Sequence, residues 1–104
     1  MQREVLKGHA DLLVLAALAV GPAHGYAVVV AVRKRSAGAF ELAEGTVYPA
    51  LYRLERHGLV ESSWSDTAAR RRRIYRLTRR GRTEFVRQRS EWGGYVTAME
   101  AALA

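Results

Sequence analysis

Eight arginines lie between Arg70 and Arg82, and no acidic residue falls between Asp66 and Glu84. A guanidinium stays charged at neutral pH and presents a planar fork of donors that matches phosphate oxygens. A block this dense is the electrostatic footprint of a polyanion partner, most simply nucleic acid; the bland alternative is a solvated basic face. The formal charge of +7 and the isoelectric point near 10.6 agree with the first reading. A second set of contact groups comes earlier, in the stretch from Gly45 to Glu61. There Tyr48 can offer its hydroxyl to a phosphate and its ring to a thymine methyl, while Arg53 and Arg56 can reach phosphates or guanine edges. Catalysis finds no comparable support. His9, His24 and His57 lie on separate predicted elements, with no carboxylate pair or nucleophile–base arrangement beside them. No glycine loop of the phosphate-cradling kind is present, and with no cysteine there can be neither a disulfide nor a thiolate metal site. No catalytic residue, metal site or cofactor is expected.

These groups need elements to hold them. At 104 residues, 49% of them hydrophobic, the chain has the size of one globular domain with a modest core. The apolar run Leu12 to Val20 predicts a first helix over about residues 10–20, buried on more than one side and stopped by Gly21-Pro22. It is too short to span a bilayer, and a soluble cytoplasmic protein is expected. A second helix is predicted from about His24 to Ser36, with Tyr26, Val29, Val30 and Val32 facing inward and Arg33-Lys34-Arg35 in its last turn. The third opens at Glu44-Gly45-Thr46, with Thr46 as N-cap and Pro49 within the first turn. Val47, Leu51 and Leu54 recur at i, i+4 and i+7 as its buried stripe; Tyr48, Pro49, Tyr52, Arg53 and Arg56 form the opposite face. Gly58 ends it. Leu59 to Trp64 and Arg72 to Leu77 read as two strands joined by a polar loop, Ser65 to Arg71. A last helix runs from about Thr78 almost to the C-terminus.

A helix feeding a two-stranded ribbon with an arginine tip is the arrangement of a winged helix-turn-helix. The expected fold is therefore mainly α with a small β-hairpin. Residues 1–78 would form a winged helix-turn-helix DNA-binding domain and residues 79–104 a C-terminal dimerisation helix. In this reading Thr46, Tyr48, Pro49, Tyr52 and Arg53 meet DNA from the third helix. Arg70, Arg71, Arg72 and Arg73 meet it from the wing, where guanidiniums read charge and groove width rather than base identity. Because strand side chains alternate, only one of Arg72 and Arg73 can share the direction of the tip. The competing assignment for Tyr48 and Tyr52 is filler between helices.

In the last helix Phe85, Trp92, Val96, Met99 and Leu103 are spaced by 7, 4, 3 and 4 residues, the rhythm of a helix packed on a partner helix. This favours a homodimer, and palindromic operator half-sites in double-stranded DNA call for two copies. Trp92 is then an interface anchor, or half of an aromatic platform for a planar hydrophobic small-molecule effector. Gly93-Gly94 beside it is a weak point in the helix, either a kink or room for something bulky.

The residues Gly21-Pro22-Ala23-His24-Gly25-Tyr26, then Gly45-Thr46-Val47-Tyr48-Pro49-Ala50-Leu51-Tyr52-Arg53-Leu54-Glu55, Gly58-Leu59-Val60-Glu61, Arg71 to Thr78 and Gly81 resemble the PadR family of bacterial transcription regulators. The likeness covers about residues 10–100, and the single terminal helix resembles the short-form subclass. It implies a homodimeric repressor that controls its own operon and a neighbouring efflux or detoxification gene, released by a small effector in a pore at the dimer interface lined by a tryptophan, here Trp92. It implies a helix-start role for His24. Gly93-Gly94 departs from the charged or polar residues usual at that place. A different class also fits the charge: a basic RNA-binding or ribosome-associated winged-helix module.

Overall fold

In a computed structural model that describes residues 9–65 and 71–104, the apolar run becomes helix α1, Ala10–Val20, with Ala10, Val14, Leu15, Ala17 and Leu18 buried. So wide an apolar surface is used because α1 is central: it packs against each of the other helices and against the second strand. No helix among the described residues is long and apolar enough to cross a membrane.

Helix α2, Gly25–Arg35, begins at His24, whose Nδ1 accepts a hydrogen bond from the Ala27 N–H at 3.2 Å. The helix ends at Ser36, with Ala37 and Gly38 in the left-handed region turning the chain back. Its inward face differs from expectation. Gly25, Val28 and Val32 are buried, Val29 and Val30 are half-buried, and Tyr26 is exposed. Three consecutive valines leave the helical phase undetermined by hydrophobicity; the phase adopted puts Gly25, which has no side chain to obstruct, against the next helix.

That helix, α3, Glu44–Arg56, buries Val47, Ala50, Leu51 and Leu54, the expected stripe plus one alanine. Its start corrects the sequence reading twice. Ala43 is the N-cap, with no side-chain cap bond, and its carbonyl accepts from the N–H groups of Thr46 and Val47 at 2.9 and 3.0 Å. Thr46 is thus inside the first turn. Pro49 lies beyond that turn and withholds the donor that the Gly45 carbonyl would otherwise receive; Gly45 is exposed, so water can serve it. At the other end Leu59 N donates to Leu54 O and Gly58 N to Glu55 O, at 2.9 and 3.0 Å. With Gly58 at φ 75° this is a Schellman closure, which needs a residue free to turn left-handed.

Strand β1, Val60–Ser65, pairs antiparallel with β2, Arg72–Leu77, in a register running from Val60 opposite Leu77 to Ser65 opposite Arg72. β1 is shifted one residue later than expected, because Leu59 is still committed to closing α3. The far edge of β2 is held by a bridge in which Ala23 and Tyr75 exchange both backbone bonds. Thr78 then caps helix α4, Arg79–Leu103: its Oγ1 accepts from Gly81 N at 3.0 Å and donates to Gly58 O at 2.7 Å. Gly81 is buried against the Leu59 backbone, and Phe85 packs on the core. Beyond Phe85 most of α4 is exposed, and it continues unbroken through Gly93-Gly94.

Candidate nucleic-acid interface

The first turns of α2 and α3 and the near end of the hairpin enclose a groove of about 500 Å³, lined by His24, Gly25, Tyr26, Glu44, Tyr48, Arg71, Arg72 and Arg73. Of the residues singled out for DNA contact, the structure therefore brings together Tyr48 and three wing arginines. Arg70 lies outside the described residues. Thr46, Pro49 and Tyr52 are on α3 but do not line the groove; Tyr52 is 62% exposed, with the Arg56 guanidinium 5.7 Å from its ring centre. Arg53 is turned toward α1, where its guanidinium sits 2.7 Å from the Asp11 carboxylate.

Alternation along β2 separates the wing arginines, as strand geometry requires. Arg73 shares the face of Tyr75 and Leu77. Its Nε donates to Ser62 Oγ at 2.9 Å, its terminal nitrogen lies 3.8 Å from Glu55, and its guanidinium is 5.4 Å from the centre of the Trp64 ring opposite. Arg71 stacks closer on the same ring, at 4.6 Å. Trp64, which sequence reasoning placed only as a strand residue, is thus the aromatic post that steadies two guanidiniums, each such contact contributing about 0.5–1 kcal/mol at an exposed site. Its position opposite Arg73 depends on a register that single-sequence patterning could not supply. Arg72 leaves by the other face, and its guanidinium nitrogen lies 2.9 Å from His24 Nε2.

His24 therefore serves two neighbours with one lone pair. A neutral imidazole has a single acceptor nitrogen, so capping Ala27 through Nδ1 and accepting from Arg72 through Nε2 compete, and protonation abolishes both. Burial first, and the Arg72 charge second, press the His24 pKa below 6.5. The unfolded chain takes up the proton before the folded one does. The stabilising contribution of this ring is thus fully present above 6.5 and is lost as pH falls through the lower folded value. His24→Asn, which keeps an N-capping oxygen, is expected to flatten the decline of melting temperature below pH 6.5; thermal melts across that range check it, and an unchanged slope would show that the His24 ring has no part in that decline.

On the remaining face, Trp92 stacks on Tyr95 with centroids 5.5 Å apart and meets His9 edge-on at 5.0 Å. Together with Asp11, Leu12, Arg87, Gln88 and Glu91 these three rings line a cleft of about 760 Å³ between α1 and α4. Hydrogen bonds from Arg87 and Gln88 hold the Glu84 carboxyl down to about 2, and Arg87 also reaches Glu91 at 3.1 Å, so this stretch of α4 is laced along its exposed side. Trp92, Met99 and Leu103 are exposed in the single chain and Val96 is half-buried, whereas Phe85 belongs to the chain's own core. Tyr95 escaped the sequence reading because it lies beside the heptad positions rather than on them.

The model of the transcriptional regulator PadR-like family matches residues 14–87. A transcriptional regulator from Clostridium thermocellum has a similar structure, with a TM-score of 0.85 and 26% identity, covering 96% of this chain and 95% of that one. A PadR family transcription regulator from Clostridium difficile is 30% identical with a TM-score of 0.81, covering 93% of this chain and all 100% of that one. Bacillus subtilis PadR in complex with operator DNA shares the fold at 19% identity, with a TM-score of 0.67, over 75% of this chain and 45% of that one. With the family model running from the middle of α1 through the hairpin into α4, this chain belongs to the PadR-like family of transcriptional regulators.

Proposed function

We propose that the groove between α2, α3 and the hairpin is the operator surface of a homodimeric repressor of transcription. The observation that carries this reading is the convergence of Tyr48, from the first half of α3, with Arg71, Arg72 and Arg73 on one depression. A recognition helix lays its N-terminal part against base edges while a charged wing follows the flanking backbone. The fold shared with Bacillus subtilis PadR, whose structure includes operator DNA, supports a duplex partner. In this reading Thr46, Pro49 and Tyr52 border the contact. Arg53 exchanges Asp11 for a phosphate, because a pair as exposed as this one contributes little to stability.

The second copy would dock along Trp92, Val96, Met99 and Leu103, giving a palindromic operator its two readers. The division into a DNA-reading part, residues 1–78, and a dimerising helix, 79–104, is functional rather than physical, since Gly81 and Phe85 belong to the packed body. A planar hydrophobic effector at Trp92 and Tyr95 would release the repressor, and a cytoplasmic location follows from the DNA partner.

Competition binding tests the reading. The chain should prefer its own promoter over random duplexes and RNA by at least about 1,000-fold. Equal affinity for unrelated RNA would replace the operator reading with the RNA-binding one. Changing Arg70 and Arg71 together to alanine is expected to lower the log–log salt slope by roughly 2 to 4 per dimer, at about 0.9 for each phosphate no longer neutralised. An identical slope would show that the wing tip does not touch the backbone.

A further inference from the structure

We propose that Gly25 is a positioning residue for operator recognition: the bare backbone at the start of α2 is the seat on which the Tyr48 ring is docked and aimed. A Cβ built on Gly25 would lie 2.5 Å from Tyr48 Cζ and 2.7 Å from its hydroxyl oxygen, and closer still to Cε1. Carbon atoms that are not bonded do not approach so closely, so any side chain at position 25 displaces the ring. Gly25 is buried while Tyr48 remains 43% exposed, which describes a ring resting on a neighbouring helix with one face still open. The backbone of Gly25 needs no left-handed conformation, since it sits inside an ordinary helix. The absent side chain is what matters there.

The docking explains how two helices and the wing share one groove. Tyr48 leaves α3 from a first half weakened by Pro49 and lacking a side-chain cap, so α3 alone does not fix where the ring points. The start of α2 has the anchorage that this half of α3 lacks. It is capped by His24 and tied to β2 through the Ala23–Tyr75 bridge, which places the Tyr48 hydroxyl at a fixed distance from the arginines that leave the same strand. Gly25 lines the same groove but has no side chain to offer a ligand, and its part is to set the geometry of Tyr48. The inference rests on the reading that Tyr48 touches DNA.

A double-mutant cycle on the full-length chain tests it, with a promoter duplex and a random duplex of equal length as probes. Gly25→Ala is expected to weaken promoter binding about 10-fold, the scale of a single specific hydrogen-bonded or methyl contact to a base, and to leave random-duplex binding nearly unchanged. In a Tyr48→Ala background the same substitution is expected to have no further effect, because the ring it displaces is gone. Equal losses in both backgrounds, or no loss in either, would overturn the positioning role while leaving the operator reading intact. A Tyr48→Ala chain with undiminished promoter affinity would instead remove Tyr48 from the contact and the inference with it. Should Gly25→Ala melt below the assay temperature, the cycle is read in melting temperatures: relief by Tyr48→Ala is expected, and equal destabilisation in both backgrounds would overturn the docking.

Discussion

Gly81→Ala is expected to destabilise this domain by about 3 kcal/mol, roughly a 100-fold shift in the folding equilibrium and about 15 °C in melting temperature. The added methyl group would collide with the backbone carbonyl of Leu59, which already accepts the Thr78 N–H at 3.1 Å. Backbone cannot swing aside as a side-chain tip can, so the first turn of α4 would have to lift off the α3–β1 junction. Gly93 and Gly94 are the internal control. They stand in the same helix where, among the described residues and apart from the helix's own adjacent backbone, nothing lies within 4 Å of the place a Cβ would occupy, and alanine there should stabilise the helix by roughly 1 kcal/mol each. Denaturant melts of the three variants give the comparison. If Gly81→Ala were as stable as the parent, the packing of α4 on the Leu59 carbonyl would be wrong.

Met99→Glu is expected to separate the proposed dimer while sparing the fold. Met99 is 41% exposed in the single chain, so a carboxylate there meets water and costs the subunit little. In a seam between two copies the same carboxylate, and its two-fold mate, would be buried without a partner; a penalty of several kcal/mol of this kind weakens association by about 100-fold or more. Analytical ultracentrifugation together with far-ultraviolet circular dichroism separates the two effects. An unchanged sedimentation coefficient at micromolar concentration would exclude Met99 from the subunit interface.

How much of this was legible in the sequence depended on whether a single element or a pair of elements carried the signal. The limits of α1, the buried stripe of α3, the span of β2 and the start of α4 near Thr78 were readable because each follows from local rules of periodicity, stop residues and turn chemistry. The phase of α2 was not, since Val28-Val29-Val30 satisfies several faces equally and packing against the other elements of the core decides among them. Thr46 looked like a cap because threonine favours that role, yet the helix begins two residues earlier, at Glu44. The residues of the groove were partly foreseen: Tyr48 and the wing arginines by type and charge, His24 as a helix-start residue. Tyr26 was assigned inward, and Trp64 and Tyr95 acquired their roles only from cross-strand register and helix-surface adjacency, which one sequence does not encode locally.

One hydroxyl has a mechanical consequence for how the two ends of the molecule communicate. Thr78 holds the Gly58 carbonyl and the Gly81 amide at once, and its own amide is held by Leu59. The long terminal rod is therefore clamped at its root with no slack linker. A tilt imposed far along it bears at once on the base of the hairpin, the closing turn of α3 and the surface of α1 against which α4 packs.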